Sequence, residues 1–163
     1  LAKLVQEELR TTAEKSQITF QVEGTHQQIR GVWRILREML YNLCDNAIKY
    51  NTAGGTVTVR VTGDDETAVL SVQDNGIGIP KGQQDRVFER FYRVDKSHSR
   101  QLGGTGLGLS IVKHGAQYHN ADLTLTSELG VGTTITVAFS KKETTAAEVQ
   151  LPAQEPEAGT EDS

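Results

Sequence analysis

The apolar residues of this chain change their spacing repeatedly, and this alternation constrains the fold more than any other feature. In some stretches they recur at steps of three and four, which is typical of one face of an α-helix. In five others they alternate with polar residues, as in half-buried β-strands. Because helices on one side of a sheet bury both kinds of apolar face, the sequence predicts an α/β (α+β) two-layer sandwich. We expect a mixed, mostly antiparallel sheet packed against about three helices.

The same spacing gives the order of the elements along the chain. Helices are predicted over residues 1–15, 32–50, 83–91 and 107–118, and strands over residues 18–22, 56–62, 67–73, 123–127 and 134–140. Residues 92–106 show no clear period and are predicted to form a loop. In the short helix, Phe88 and Phe91 stand three residues apart, and we expect both to pack in the core.

Charge is distributed unevenly over the 163 residues, which carry 17 basic and 21 acidic side chains and a net charge of −4. Residues 143–163 contain six acidic residues, no basic residue and two of the three prolines. Such a segment cannot bury enough apolar surface to offset its ordering entropy, so it is predicted to be a disordered tail. The remaining residues 1–142 have 17 basic and 15 acidic residues, a net charge of +2. We expect no nucleic-acid partner.

Several classes of protein are excluded by composition. No stretch approaches the roughly 18 uninterrupted apolar residues of a membrane span, and the first residues lack a signal-peptide core. The single cysteine, Cys44, rules out an intrachain disulfide framework and a cysteine-based zinc site. Its apolar neighbours on the predicted long helix indicate a buried, inert thiol.

Paired asparagines mark the long helix as a candidate ligand-binding element. Asn42 and Asn46 stand four residues apart, on one helical face, and Lys49 and Tyr50 follow one turn later. Asparagine is a poor helix former, and its amide oxygen suits a hydrated Mg²⁺ beside phosphates. A solvated polar face would explain the same residues.

Two glycine-bearing segments could approach a ligand closely. Asp74, Gly76 and Gly78 directly follow a predicted strand, where the carboxylate can accept a hydrogen bond from an exocyclic amine, although an ordinary turn explains them equally well. Residues 103–108, Gly-Gly-Thr-Gly-Leu-Gly, open a helix and expose backbone N–H groups suited to phosphate. Neither the G-x-G-x-x-G nor the P-loop motif is present, which disfavours a Rossmann cofactor site and a P-loop. Between the two segments, Arg93 could reach a γ-phosphate or be ordinary surface charge.

These four segments, in this order and spacing, resemble the N, G1, F and G2 boxes of sensor histidine kinases, most closely the phosphate-sensor-like group. The resemblance covers roughly residues 17–140. It implies the Bergerat ATP-binding fold shared with DNA gyrase, Hsp90 and MutL, in which ATP lies between a sheet and a helical layer under a mobile lid. His98 would belong to that lid.

The resemblance also implies a role for each motif residue, with ATP and Mg²⁺ as cofactors. At the adenine end, Tyr50 packs on the base, Asp74 recognises its amino group, Gly76 and Gly78 shape the pocket, and Thr133 lies beside it. At the phosphate end, Asn46 is the expected Mg²⁺ ligand and Asn42 assists it. Lys49 contacts phosphate, and Arg93 lies near the γ-phosphate. The lid hinge and phosphate cradle comprise Gly104, Thr105, Gly106, Leu107 and Gly108. Asn42 and Arg93 are the expected catalytic residues.

The implied activity is transfer of the γ-phosphoryl group of Mg-ATP to a histidine on a separate dimerisation domain, for relay to the receiver domain of a response regulator. Residues 1–15 would end a linker helix from that domain, residues 16–142 would form the catalytic domain, and residues 143–163 the acidic tail. The full-length protein would be a homodimer, and this part a cytoplasmic domain of a membrane-anchored sensor whose membrane segments lie outside this chain. None of His26, His98, His114 and His119 has the sequence setting of the phosphoacceptor.

Two alternatives on the same fold stay open at this point: an anti-sigma-factor-type serine kinase and a domain that binds nucleotide only as a switch. The Phe-Glu-Arg-Phe-Tyr-Arg segment favours the histidine kinase. Gyrase-like relatives carry a water-activating glutamate one turn before the Mg²⁺ asparagine, and Asn42 occupies that position here. Because an amide cannot act as a general base, we expect slow hydrolysis of ATP.

Overall fold

The computed structural model describes residues 1–94 and 105–142. Within these ranges it contains the helices α1 (Ala2–Lys15), α2 (Trp33–Lys49) and α3 (Gly108–Tyr118) and the strands β1 (Thr19–Gly24), β2 (Thr56–Gly63), β3 (Thr67–Asp74), β4 (Asp122–Glu128) and β5 (Gly132–Ser140). The predictions made for His98, Gly104 and the acidic tail lie outside the described residues.

The five strands form one mixed sheet in the order β1-β2-β3-β5-β4. β1 and β2 are parallel, and the other three neighbouring pairs are antiparallel. The parallel pair requires a crossover connection, which α2 provides, whereas β2–β3 and β4–β5 are joined by short turns. The predicted mixed, mostly antiparallel sheet is confirmed.

The core lies between the sheet and the three helices. α1 contributes Val5, Leu9 and Ala13, and the sheet contributes the fully buried Val57 and Val59. The side chains of the other elements complete this layer, among them Leu36, Met39, Leu40, Leu43 and Cys44 of α2, Val112 and Ala116 of α3, and Val72 and Val137 of the sheet. Each fully buried aliphatic side chain contributes roughly 1.5–3 kcal/mol relative to exposure. The predicted α/β sandwich and the buried position of Cys44 are therefore confirmed.

Two contacts hold the helices in position relative to one another, an ion pair between α1 and α2 and close packing between α2 and α3. Arg37 of α2 donates two hydrogen bonds to the Glu8 carboxylate of α1, at 3.0 and 2.7 Å. Gly115 of α3 faces Met39 and Ile35 of α2 so closely that a Cβ atom at this position would overlap the Met39 side chain. Glycine in mid-helix, which lowers helix propensity, is here a condition for close packing of α2 and α3.

The predicted short helix at residues 83–91 is wrong. A 3₁₀ turn over Lys81–Gln83 is followed by irregular turns, and Phe91 adopts a positive φ of 63°. Its backbone N–H donates to the carbonyl of Gly106, so this segment is held by a contact distant in sequence. Phe91 is 66% exposed and does not join the core, and Val87 is the buried residue of the segment.

Among the described residues, no helix has both the length and the apolar character needed to cross a bilayer.

Candidate active site

A cavity of about 360 Å³ lies between the C-terminal half of α2, the ends of β3 and β5 that adjoin each other, and the start of α3. Most of the residues predicted for the site line it: Asn42, Asn46, Lys49, Tyr50, Asp74, Gly78, Arg93, Thr105, Gly106, Gly108 and Thr133. Gly76 and Leu107 are adjacent in sequence to lining residues but do not line the cavity themselves. The structure thus brings together five segments that are up to 91 positions apart, from Asn42 to Thr133.

The asparagine face of α2 meets the first residue of α3. The Asn42 side-chain amide donates to the carbonyl of Glu38 at 2.8 Å, which leaves its oxygen as the group that faces α3. A Cβ atom on Gly108 would lie 2.9 Å from that oxygen and 3.5 Å from Nδ2 of Asn46. Glycine at this position therefore lets the N-terminus of α3 approach both asparagines, so that their side-chain amides and the helix N–H groups share one end of the cavity.

Asp45 supplies a carboxylate to the same wall. Its Oδ2 accepts a hydrogen bond from Nζ of Lys49 at 2.6 Å, and the two side chains are 18% and 30% exposed. Asp45 lines the cavity but was not among the predicted site residues. The i, i+4 spacing of Asp45 and Lys49 was the available signal, because oppositely charged residues at that spacing are neighbours on a helix.

Asp74 ends β3 directly opposite Thr133 of β5. Burial raises the pKa of the Asp74 carboxyl, and hydrogen bonds from the backbone N–H groups of Gly76 and Thr133 partly oppose that effect. The Gly76 N–H donates to Oδ1 at 2.9 Å. A half-buried carboxylate oriented in this way can accept a further hydrogen bond from a ligand inside the cavity.

The loop after β3 packs against the protein's own backbone. A Cβ atom on Gly76 would overlap the carbonyl of Tyr50, and one on Gly78, which has a φ of 69°, would overlap the carbonyl of Glu128. The N–H of Ile77 donates to the Tyr50 carbonyl at 3.1 Å. These glycines therefore allow the loop to close one end of the cavity between α2 and β4.

Ser127 is a second residue that sequence reasoning missed. Its hydroxyl accepts from the N–H of Ile79 at 2.8 Å, donates to the carbonyl of Gly132 at 3.0 Å, and lies 2.8 Å from the hydroxyl of Thr133. It thereby ties the loop after β3 to the β4–β5 turn and fixes the position of Thr133. Alternation along β4 marked Ser127 only as a strand residue, so no local signal distinguished it.

Apolar side chains form much of the remaining wall, and sequence reasoning assigned none of them to the site. They are Leu43, Ala47, Val72, Ile77, Ile79, Val87, Val94, Leu109 and Ile135. Those on helices and strands are indistinguishable in the sequence from core residues, because both kinds occupy inward positions. Ile77, Ile79, Val87 and Val94 lie in irregular segments, where no apolar period marks them. Together with Asp74 they give the cavity an apolar region that contains a single carboxylate.

Arg93 and Tyr92 line the cavity from the segment that precedes α3. The Tyr92 hydroxyl donates to Oε1 of Gln83 at 2.9 Å, and the guanidinium of Arg86 stacks 4.4 Å from the centre of its ring. This support fixes the backbone beside Arg93 at the cavity wall. Gly106, at a φ of 74°, contacts Phe91, so the two segments on this side are packed together.

Within the described ranges, no group of three or more His, Cys, Asp or Glu side chains is arranged to hold a metal ion. A divalent cation here would rely on the amide oxygens of Asn42 and Asn46 and on oxygens of a bound ligand. Mg²⁺ fits that donor set, since it prefers oxygen ligands and is commonly held by few protein groups together with phosphates.

Comparison with protein families gives a match over residues 31–143, to the family described as histidine kinase-, DNA gyrase B- and HSP90-like ATPases. The chain is 48% identical over 110 residues to the sensor histidine kinase WalK of Bacillus subtilis, covering 66% of this chain and 18% of WalK. It is 42% identical over 131 residues to the sensor-like histidine kinase SenX3 of Mycolicibacterium smegmatis, covering 80% of this chain and 34% of SenX3. The chain thus spans about a fifth to a third of these curated relatives.

Solved structures give the same result. The mycobacterial sensor histidine kinase MprB superposes with a TM-score of 0.73 at 32% identity, covering 85% of this chain and 93% of that one. Full-length ShkA in complex with AMPPNP superposes with a TM-score of 0.72 at 25% identity, covering 86% of this chain and 30% of ShkA.

Proposed function

Because the chain belongs to the family of histidine kinase-, DNA gyrase B- and HSP90-like ATPases, as an ATP-binding catalytic domain of the sensor histidine kinase type, we propose that it catalyses phosphoryl transfer from Mg-ATP to a histidine. The acceptor is on a separate dimerisation domain, and the phosphoryl group passes from there to a response regulator. The chain matches only part of its sensor kinase relatives, which supports an acceptor outside these residues.

The observation that carries the proposal is the division of the cavity into two chemically different regions. The region around Asp74 and Thr133 combines apolar walls with one carboxylate, which suits adenine because its amino group can donate to Asp74 while its ring contacts apolar side chains. The other region combines Asn42, Asn46 and Lys49 with the N-terminus of α3, which suits a triphosphate. The AMPPNP complex of ShkA agrees with a nucleotide ligand.

In this proposal, Asn46 would hold Mg²⁺ through its amide oxygen, with Asn42 assisting at the metal–phosphate site. When bound, the metal neutralises charge on the phosphate oxygens, which is its usual contribution to phosphoryl transfer. Lys49 contacts phosphate and keeps Asp45 as its counter-ion at 2.6 Å. Arg93, at the cavity wall, has a planar guanidinium that can donate to two oxygens of the γ-phosphate. Tyr50 contacts the base at the other end of the cavity.

The chain's own groups also favour transfer over hydrolysis. Asn42 cannot accept a proton, and its amide nitrogen is committed to the Glu38 carbonyl. Glu38 is exposed and stands one turn further from Asn46, and Asp45, the α2 carboxylate that lines the cavity, is paired with Lys49, so neither takes the place of the missing base. ATP would therefore be held intact for an external acceptor.

Two of the described histidines, His114 and His119, have structural contacts that argue against an acceptor role. Nδ1 of His114 lies 2.7 Å from the carbonyl of Ser110. Nδ1 of His119 lies 2.7 Å from the carbonyl of Gly115, while its Nε2 accepts from the N–H of Val32. Both rings are therefore engaged by backbone groups, which supports an acceptor elsewhere.

The test combines this chain, Mg-[γ-³²P]ATP and the histidine-bearing dimerisation domain of a sensor kinase as a separate polypeptide. Label that is acid-labile and base-stable on that domain is the expected result. Acid-stable label would indicate a serine or threonine acceptor instead, and ATP binding without any transfer would favour a nucleotide switch. A parallel reaction without the dimerisation domain measures hydrolysis, which we expect to be slow.

A further inference from the structure

A second cavity lies at the other end of α2, and no residue lines both. It is a groove of about 1120 Å³ between the N-terminal half of α2, the loop that follows β1, and the ends of β3 and β5. Its wall is apolar and includes Leu36, Met39, Leu40, Leu70 and Phe139. The proposed function does not use this groove.

Large apolar side chains stand exposed beside this groove. Trp33, the only tryptophan of the chain, lines it and is 55% exposed, and Leu1, directly before α1, is 38% exposed. An apolar groove with an exposed aromatic at its edge is typical of a binding surface, because covering it removes apolar area from water.

The charged side chains of the groove are mainly basic. Lys3 and Lys141 line it, and the one acidic residue among the lining side chains, Glu23, is paired with Arg60. This distribution suits an acidic occupant. It disfavours a second copy related by a two-fold axis, since that arrangement would bring two basic rims together.

The chain itself leaves the sheet at this groove. After β5 ends, the N–H of Lys141 donates to the carbonyl of Glu66 at 2.7 Å, and the Lys141 ammonium donates to Gln27 and to the carbonyl of Asp64. Lys141 is thus fixed at the rim, and residue 143 follows two positions later.

Residues 143–163 have the composition that the groove requires. They carry six acidic residues and no basic residue, and they contain the run Val149-Gln-Leu151-Pro. In an extended chain Val149 and Leu151 point to the same side, and Pro152 disfavours a helix. Lys141 itself lines the groove, and the seven positions from Lys142 to Val149 span roughly 23 Å when extended.

We propose that residues 143–163 bind back into this groove, with Val149 and Leu151 on its apolar wall beside Trp33 and the acidic residues facing Lys3 and Lys141. A segment too polar to form its own core can still bind through one short apolar run. This intramolecular contact is independent of the phosphoryl-transfer proposal, because it involves neither the cavity of the candidate active site nor the residues assigned to ATP.

Trp33 gives a direct test in the full chain without any label. Its emission maximum and its quenching by acrylamide are compared between the unaltered chain and the double variant Val149→Ser, Leu151→Ser. Ala146→Ser, Ala147→Ser is the matched control, since it changes two residues of the same segment outside the apolar run. We expect the Val149/Leu151 variant to shift Trp33 emission to longer wavelength and to increase quenching, while the control matches the unaltered chain.

A second measurement tests the charge contribution. Raising the ionic strength, or replacing the exposed Lys3 by Glu, should increase Trp33 quenching in the unaltered chain and have little effect in the Val149/Leu151 variant. Equal acrylamide quenching of Trp33 in the unaltered chain, the Val149/Leu151 variant and the Ala146/Ala147 control would overturn the proposal. Protection of Trp33 that grows with protein concentration and persists in the Val149/Leu151 variant would also overturn it, by identifying a second copy as the occupant.

Discussion

At the residue scale, Asp74 combines a proposed ligand contact with a cost to the free protein. Burial raises the pKa of its carboxyl, so the folded protein binds that proton more tightly than the unfolded chain does. The resulting penalty is present when the carboxyl is ionised and is relieved as the pH falls through the raised pKa towards the ordinary value of about 3.9. The carboxylate that is proposed to recognise the ligand is therefore expected to lower the stability of the free protein at neutral pH.

Asp74→Asn should separate these two effects. An asparagine keeps an oxygen that can accept from the Gly76 N–H, but its amide cannot replace the carboxylate as acceptor for the adenine amino group without reorientation. We expect ATP affinity, measured by calorimetry, to fall by tenfold or more, on the order of 1.4 kcal/mol or above.

The pH dependence of stability provides the accompanying check. At neutral pH the Asp74→Asn protein should unfold at the same temperature as the unaltered chain or a higher one, and that advantage should shrink as acid protonates Asp74 in the unaltered chain. Thermal unfolding of both proteins across pH measures the difference. An advantage that increased towards low pH would contradict the inferred direction of the Asp74 pKa shift.

Gly108 offers a second prediction at this scale, about the position of Asn42. In Gly108→Ala the new Cβ would lie 2.9 Å from Oδ1 of Asn42, so that side chain must move, while alanine favours the helix by roughly 1 kcal/mol. We expect little change in the unfolding temperature and a several-fold loss of Mg-ATP affinity. Gly82→Ala is the control, since its Cβ would meet nothing within 4 Å. Equal ATP affinity in both variants would rule out a role for the Asn42–Gly108 contact.

Site residues could be predicted from the sequence where their chemistry is unusual for their place. Paired asparagines within a helix and clustered glycines stood out in this way, and the structure places most of them around one cavity. Ser127 could not be found, because a strand serine is ordinary in that setting and its contribution comes from a contact with Ile79, which is distant in sequence. The only signal for Asp45 was its i, i+4 spacing to Lys49, which does not distinguish a site from an ordinary ion pair on a helix.

At the element scale, His119 connects the end of α3 to the start of α2. Its Nε2 accepts from the Val32 N–H at 3.0 Å, and Gly31 lies so close that a Cβ atom there would be 2.9 Å from the ring. Val32 precedes the first residue of α2 and has no side-chain cap of its own. The histidine therefore provides the capping contact for one of the helix's otherwise unpaired N–H groups.

His119→Ala should lower the free energy of unfolding by about 1–3 kcal/mol, because it removes this hydrogen bond and the packing of the ring against Phe139. Chemical denaturation measures the loss. His114→Ala is the matched control. His114 is exposed, and its hydrogen bond is to the Ser110 carbonyl of its own helix. If both variants lost the same amount, the contact between α2 and α3 would not be the cause.

Helices and strands in which apolar residues recur at regular spacing over many positions were predicted well, but the short helix at residues 83–91 was not. Val87, Phe88 and Phe91 do have helical spacing, but the backbone here is fixed by a hydrogen bond from Phe91 to Gly106 and by a positive φ. Such a long-range contact overrides local propensity in a short segment, where few intrahelical hydrogen bonds would be gained.

At the scale of the whole molecule, α1 is part of the main core. Val5, Leu9 and Ala13 are at most 3% exposed, and α1 is also joined to α2 through Arg37 and Glu8. A boundary after residue 15, as expected from the resemblance, would separate these side chains from the layer that covers the sheet.

Leu9→Ala should therefore destabilise the entire domain, by about 2–5 kcal/mol, as is usual when a buried leucine is truncated. Leu4→Ala on the same helix is the control, because Leu4 is 43% exposed and should cost much less. Global unfolding followed by circular dichroism measures both. Near-equal, small losses would show that α1 is an appendage to residues 16–142.

The helix α2 lines both cavities, with Trp33 to Leu40 at the groove and Asn42 to Tyr50 at the candidate active site. Thermodynamic linkage applies to any protein with two such sites: if nucleotide changes the affinity of the groove's occupant by some factor, the occupant changes nucleotide affinity by the same factor. A titration with Mg-ATP that is followed through Trp33 fluorescence would measure that factor. The free energy of coupling between the two ends of one helix is thus open to direct measurement.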